Sequence, residues 1–207
     1  MHCSRWLAML PLAGALLILR PSTAAAQDPR LERRLDPATL ESVTATIDSA
    51  RLQGLPVEAL VQRALEGAAK HAAPAQIAAA VRRLAMELAT ARQALGSVSS
   101  PMELEAAAGA LRAGVRPADL TRLRHRRTQS LTVALATLAD LVASGVPPDS
   151  AAAAVIALAA SAGDDQMADF RRAVERDIAL GAPPAVAAAV RVDAALRQTP
   201  GASSRRP

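Results

Sequence analysis

A group of five arginines is the part of the sequence best suited to binding chemistry. It lies in the stretch 116–130, RPADLTRLRHRRTQS, where Asp119 is the only acid. A guanidinium presents a planar fork of N–H donors that matches phosphate and carboxylate groups. The sequence therefore predicts an anion-binding surface, called the arginine cluster below, which consists of Arg116, Arg122, Arg124, Arg126 and Arg127.

The alternative interpretation of the arginine cluster is a solvated helix face. On a helix that begins at Pro117, Leu120 and Leu123 face inward, while Arg122 and Arg126 lie four residues apart on the outside. We expect Arg127 at the frayed end of this helix. The arginine side chains could then simply cover neighbouring apolar surface with their aliphatic parts. The sequence does not decide between the two interpretations.

The class of partner follows from the charge and from the scarcity of aromatic residues. The chain has one Phe, one Trp and no Tyr, so it lacks the aromatic side chains on which single-stranded nucleic acids stack. It also lacks the aromatic anchors of a helix that lies on a membrane surface. We expect no nucleic acid partner. The predicted partner is an acidic protein surface or a phosphorylated component of the cell envelope.

Catalytic, cofactor-binding and metal-binding motifs are not found in the sequence. His71 and His125 are the histidines outside the first residues, and neither is part of an HExxH or similar ligand motif. The closely spaced carboxylates, Asp165 with Asp169 and Glu103 with Glu105, lie near expected helix starts, where the helix dipole favours acids. The sequence therefore favours a protein that is not an enzyme, without deciding this, and we expect no cofactor.

The first 26 residues have the pattern of a secretory signal peptide. Arg5 is followed by an apolar run over 7–19 and then by the small residues of 24–26. The apolar run contains Pro11 and is shorter than the ~20 residues of a membrane-spanning helix, so an uncleaved anchor is the less favoured alternative. We expect cleavage after Ala26 and export to the periplasm, or alternatively out of the cell. The exported chain would have no cysteine and no transmembrane segment.

The rest of the chain predicts an all-α fold. Ala, Leu, Arg, Glu and Gln fill the long segments, and no alternating run of β-branched or aromatic residues is present. The core residues expected at helical spacing include Leu52, Leu88, Leu120, Phe170 and Val190. Nine helices are expected, near 37–53, 56–71, 75–95, 101–113, 117–127, 130–144, 148–161, 165–180 and 184–197.

Four corners with the same pattern of glycine and proline connect these helices. At Gly54, Gly114, Gly145 and Gly181, a helix ends on glycine, an apolar residue follows, and proline then starts the next helix. A degenerate fifth corner precedes Pro74. These corners predict helical hairpins in a loose repeat, arranged as a short α-solenoid or an irregular multi-helix bundle. We expect a leader over 27–36 that is frayed up to Leu35, a helical domain over 37–198 and a disordered tail over 199–207.

These observations favour an exported interaction or scaffold module of the cell envelope. One alternative is a small-ligand carrier or an enzyme with a site in a cleft between helix pairs. Another is a structural envelope protein without a discrete site. The oligomeric state and the choice between an open superhelix and a closed bundle are left open.

Overall fold

The computed structural model describes residues 28–198, and the expected signal peptide and tail lie outside this part of the chain. Within it the chain forms ten α-helices and no strand, which confirms the all-α prediction. They are α1 (Pro29–Glu32), α2 (Pro37–Leu52), α3 (Val57–Ala69), α4 (Pro74–Leu95), α5 (Pro101–Arg112), α6 (Pro117–Arg126), α7 (Thr132–Ala143), α8 (Pro148–Leu158), α9 (Asp164–Ala179) and α10 (Pro184–Gln198).

Helices α2 to α10 correspond to the nine expected from the sequence, and their starts are explained by local capping. Seven of the ten helices in the described region carry proline in the first turn, where its missing N–H costs no hydrogen bond. At α2 the Asp36 side chain accepts the amide of Thr39 (3.1 Å). At α5 Ser100 and Glu103 form the expected capping box, because each side chain accepts the other residue's amide.

The sequence predicts a frayed leader up to Leu35, but the structure differs: residues Pro29–Glu32 form α1. Leu31 in this helix is 1% exposed and belongs to the core. Asp28 caps the helix by accepting the amide of Arg30 (2.9 Å). A four-residue helix has no periodicity that a sequence could reveal, and α1 is stabilised by the contact of Leu31 with the core.

The four glycine corners adopt the backbone expected of them. Gly114 has φ of +98°, in the left-handed region that other residues avoid. The amide of Val115 donates to the carbonyl of Ala110 (3.1 Å), and the amide of Gly114 donates to that of Leu111 (3.0 Å). The same pair of hydrogen bonds closes the corners at Gly54, Gly145 and Gly181. Each bond satisfies a carbonyl that the end of the helix would leave free.

The fifth corner, between α3 and α4, has the same hydrogen bonds with histidine in place of glycine. His71 has φ of +53°, and within residues 28–198 it is the only non-glycine residue with positive φ. The amide of Ala72 donates to the carbonyl of Gly67 (3.0 Å). Histidine at this φ is uncommon and strained, so the chain geometry of the corner is kept at the expense of local backbone energy.

The helices pack in two rows. In one row α2 contacts α4, α4 contacts α6, α6 contacts α8, and α8 contacts α10. In the other row α5 contacts α7 and α7 contacts α9, while α3 faces α5 across a cleft with α4 at its floor. None of the helices in the described part of the chain is long and apolar enough to span a membrane.

One continuous apolar core runs between the rows, from Leu31 in α1 to Val192 in α10. It includes most of the residues expected there, such as Leu88, Leu120 and Phe170. Two expectations were wrong, because Leu52 is 90% exposed and Val190 is 55% exposed. Leu52 is the last residue of α2, and in α10 Ala187, Ala188 and Val192 are buried instead, which turns Val190 outward.

Candidate functional site

The arginine cluster lies on α6 and on the segment that joins α6 to α7. Leu120 and Leu123 are completely buried, as expected, and fix the orientation of α6 on α4 and α8. The helix ends at Arg126, and Arg127 has extended backbone dihedrals. The loop that follows reaches α7 at Thr132, whose amide donates to the hydroxyl of Ser130 (3.3 Å). The five arginines therefore start from two different backbone conformations and point in different directions.

Asp119 holds two of the five arginines. Arg116 Nε donates to Asp119 Oδ2 (3.0 Å), and Arg122 Nη2 donates to Asp119 Oδ1. Asp119 is 1% exposed. Its burial acts to raise the pKa of the carboxyl group, but the hydrogen bonds from Arg122 and Arg116 outweigh burial and hold that pKa below its ordinary value. Arg116 Nη2 also lies 3.2 Å from Asp149 Oδ1 in α8.

Glu103 binds the third arginine and also the start of α7. Its Oε1 accepts the amide of Leu131 (2.7 Å) and lies 2.9 Å from Arg124 Nη2, while its Oε2 accepts the amide of Ser100 (3.0 Å). Burial acts to raise the pKa of Glu103, but the two backbone amides and Arg124 together lower it. Glu103 therefore connects the N-terminus of α5, the helix α6 and the N-terminus of α7.

Arg127 is buried, contrary to the expectation of a frayed position. It is 3% exposed and donates to the carbonyls of Ala162 (2.5 Å) and Ser130 (3.0 Å). Its Nη2 also makes an ion pair with Asp164, the first residue of α9. Two of its three partners, Ala162 and Asp164, lie 35 and 37 residues along the chain, where a local pattern cannot reveal them. Arg127 ties the α6–α7 loop to the α8–α9 connection.

Arg126 is the one member of the arginine cluster whose side chain makes no hydrogen bond or ion pair within residues 28–198. It is exposed at the end of α6 beside the exposed His125. Asp119, Asp149, Glu103 and Asp164 oppose the other four arginines. The cluster is thus largely neutralised by the protein's own carboxylates, and most of its guanidinium donors bind within the fold.

The other candidate residues for chemistry are dispersed. His71 lies at the α3–α4 corner, far along the chain from His125, and both are exposed. Asp169 forms an ion pair with Arg172. Glu105 is exposed whereas Glu103 is buried, so these two carboxylates do not form a pair that could act together. Across residues 28–198 no group of three or more His, Cys, Asp or Glu side chains could hold a metal ion.

Two surface depressions of the described region have lining residues that the sequence did not predict. The first, called the α2–α4 groove, has a volume of about 640 Å³ and an apolar floor that includes Ala50 and Leu55, with Ala45, Ala85 and Met86 beside it. Arg82 is the only charged residue in its lining, and it donates to the hydroxyl of Ser42 (3.3 Å). No sequence signal marks this groove, because alanines 40 residues apart are brought together only by packing.

The second depression, the α3–α5 cleft, has a volume of about 360 Å³ and polar walls. Arg63 and Glu66 come from α3, Glu105 and Arg112 come from α5, and Leu84 of α4 forms the floor. Glu66 is paired with Arg63 and Lys70, and Arg112 is paired with Glu87. Glu105 is the charged group of this cleft with no hydrogen bond or ion pair to any residue of the part described.

Comparison of the chain with models of known protein families, with curated proteins and with solved structures finds no match. The function must therefore be argued from the surfaces themselves.

Proposed function

We propose that the chain is exported after cleavage of residues 1–26 and works in the cell envelope as a non-enzymatic interaction module. Its helical hairpins form a short α-solenoid, a proposal supported by contacts between each helix and the second helix after it along one row. The α2–α4 groove is the binding surface, and its occupant is an amphipathic helix of a partner protein with acidic residues along its edge.

The observation that carries this proposal is the α2–α4 groove. Its alanines leave room for the backbone of a docked helix to approach closely, since interaxial distances fall to ~8 Å where side chains are small. Met86 is 64% exposed beside the groove and offers a flexible apolar contact. Arg82 has no acidic partner within the described residues, so a carboxylate on the incoming helix would complement it. Helix-in-groove binding uses this combination of apolar floor and charged edge.

In-cell photocrosslinking from position 86 tests the groove, with position 102 as the matched control. Met102 is 66% exposed, close to the value for Met86, but lies at the start of α5 and outside the groove. We expect an adduct from position 86 only, whose crosslinked peptide has helical apolar spacing with flanking acids. An adduct with a second copy of this chain, equal adducts from both positions, or no adduct would overturn the proposal.

A substitution separates the groove from other surfaces. Met86→Glu places a negative charge against the acidic edge of the partner, so we expect binding of the identified partner to weaken about tenfold, ~1.4 kcal/mol. Met102→Glu should leave the affinity unchanged. Circular dichroism of both variants should match the wild type, because both methionines are exposed.

The arginine cluster can contribute to the same module only through its outward members. Arg122 is paired but its side chain is 60% exposed, and Arg126 is exposed and unpaired within the described region. Binding of an acidic surface or a phosphorylated envelope component there is proposed for these two residues. Arg116 is also exposed but is held by both Asp119 and Asp149, and Arg124 and Arg127 bind inside the fold. Arg122→Glu with Arg126→Glu should abolish such binding, and its survival would remove the cluster from the proposal.

A second candidate function is a small-ligand carrier or enzyme that uses the α3–α5 cleft. The observation in its favour is Glu105, a carboxylate without a hydrogen bond or ion pair to any described residue, in a cleft that also holds Arg63 and Arg112. A thermal-shift screen of small cationic and zwitterionic compounds tests it. A dose-dependent rise in the melting temperature that Glu105→Gln abolishes would favour the carrier, and a flat screen would count against it.

A further inference from the structure

A pocket near the N-terminal end of the described chain contains three arginines. It has a volume of about 460 Å³ and is lined by Arg30, Arg33 and Arg34 together with Leu65 and Ala69 of α3. We call it the α1 pocket. It lies apart from both the α2–α4 groove and the arginine cluster, and none of the expectations from the sequence includes it.

All three nitrogens of the Arg30 guanidinium donate hydrogen bonds within the protein. Its Nη1 and Nη2 donate to Glu58 Oε1 and Oε2, both at 2.9 Å, and its Nε donates to Asp28 Oδ1 (3.0 Å). Together with the buried side chain of Leu31, these bonds hold α1 on α3. The backbone that carries the other two arginines is therefore held in place before any ligand binds.

Arg33 and Arg34 remain available. Both are exposed, and neither side chain makes a hydrogen bond or ion pair with any residue of 28–198. The nearest acid in sequence, Glu32, is exposed and does not line the pocket. On the α3 side, Glu66 is already occupied by Lys70 (2.6 Å) and Arg63 (3.2 Å). The Asp28 carboxylate interacts electrostatically with Arg33, but no carboxylate of residues 28–198 forms an ion pair with either of these two adjacent guanidiniums, and both face the α1 pocket.

The lining indicates an anion with an apolar part. Two guanidinium forks suit the oxygens of a phosphate group. Leu65 and Ala69 offer no hydrogen bond and would be a poor floor for free inorganic phosphate, but they suit hydrocarbon. A phospholipid headgroup supplies both chemistries in one molecule.

The position of the pocket along the chain also favours a membrane lipid. Nine residues, 20–28, separate the end of the apolar run from Pro29, so the reach of an extended chain from residue 19 to Pro29 is at most about 36 Å. While the apolar run is in the bilayer during export, α1 therefore lies close to the headgroups. The proximity of α1 to the headgroups depends on the proposed export, whereas the exposed arginines and the apolar floor of the pocket do not depend on it.

We propose that the α1 pocket binds the phosphodiester headgroup of an anionic phospholipid. Arg33 and Arg34 bind the phosphate oxygens, and Leu65 and Ala69 lie beneath the glycerol and the first methylenes of the acyl chains. The contact would keep the protein near the membrane surface while the α2–α4 groove binds its partner.

Co-sedimentation of the purified full chain with phosphatidylcholine vesicles, with and without phosphatidylglycerol, tests the proposal. Arg33→Gln with Arg34→Gln should weaken binding to the phosphatidylglycerol vesicles about 30-fold, from ~1 kcal/mol for each charge at an anionic surface. The matched control is Arg176→Gln with Arg197→Gln, which removes two exposed arginines of α9 and α10 whose side chains make no hydrogen bond or ion pair in the described region. All these chains share residues 1–27, so the difference between them reports the α1 pocket.

The possible outcomes separate the sources of the anion. Equal loss in both double variants would show general charge attraction and overturn the pocket. Unchanged binding in the Arg33 and Arg34 variant would also overturn it. Competition by inorganic phosphate as effective as competition by glycerol phosphate with short acyl chains would assign the site to free phosphate and overturn the lipid. Intact-mass measurement of the exported form tests cleavage separately, so a failure of the proposed export would not be mistaken for a failure of the pocket.

Discussion

Arg126 and Arg127 are neighbours in the chain with opposite environments, and this difference predicts opposite effects of substitution. Arg127→Ala removes a buried guanidinium and leaves the carbonyl of Ala162 without its donor, so we expect a loss of about 2 to 3 kcal/mol in the free energy of unfolding. Arg126→Ala should change it by less than about 0.5 kcal/mol, because exposed sites have small effects. Urea unfolding followed by circular dichroism measures both.

The pair of variants separates the two interpretations of the arginine cluster. If both arginines stood on a solvated face, their alanine variants would unfold at the same urea concentration. A difference of the expected size would show that Arg127 connects the α6–α7 loop to α9 in solution. Equal midpoints would contradict the buried position of Arg127.

Glu103 should give the protein a stability that depends on pH. Its pKa is lowered in the folded state, so its stabilising contribution is complete above the unfolded pKa of about 4.3 and is lost as the pH falls through the folded pKa. Glu103→Gln should cost about 2 kcal/mol at pH 7, since its oxygens accept two backbone amides and face Arg124. The difference in the free energy of unfolding between wild type and Glu103→Gln should decrease as the pH falls toward 3.

Urea unfolding at pH 7, 5, 4 and 3 checks this prediction for Glu103. Glu105→Gln is the control, because Glu105 is exposed on the same helix, and it should not show the loss of stability at pH 7. A gap for Glu103→Gln that stayed constant over the whole range would mean that its carboxylate charge contributes nothing.

At the scale of the helices, two glycines near the end of α5 should respond in opposite ways to the same change. Gly114→Ala forces a Cβ onto a residue with φ of +98° and places it 3.4 Å from Pro148 Cγ, so we expect a loss of about 1 to 2 kcal/mol. Gly109 lies inside the helix with open space around it. Gly109→Ala should gain about 0.5 to 1 kcal/mol, because alanine favours the helix. Thermal unfolding of the two variants would reveal the opposite signs, and equal shifts would contradict the corner geometry.

Helix corners of this kind are the features that could be predicted from the sequence. Gly114 and Pro117 act on their own backbone, so a local pattern is enough to place the end of one helix and the start of the next. The exposure of Leu52 and Val190 could not be predicted in this way, since it depends on which neighbouring helix covers each face. The burial of Arg127 likewise depends on Ala162 and Asp164, and the α2–α4 groove exists only because α2 and α4 pack side by side.

At the scale of the whole molecule, the arrangement in two rows predicts that a destabilising core substitution affects mainly the helices near it. In a stack, each helix is stabilised by its neighbours, and the energy of the whole is close to a sum over adjacent contacts. Leu60 in α3 and Leu158 in α8 are both almost completely buried, near opposite ends of the rows. Leu60→Ala and Leu158→Ala should each cost about 3 kcal/mol in core packing.

Hydrogen exchange under native conditions would locate the effect of each change. Leu60→Ala should speed exchange mainly in α1 to α4, and Leu158→Ala mainly in α7 to α10, because contact between these two groups passes through α5 and α6. The two leucines are the same residue type with similar burial, so each variant is the control for the other. If both variants instead raised exchange equally in all ten described helices, the chain would unfold as one cooperative bundle, and the proposed solenoid would be wrong.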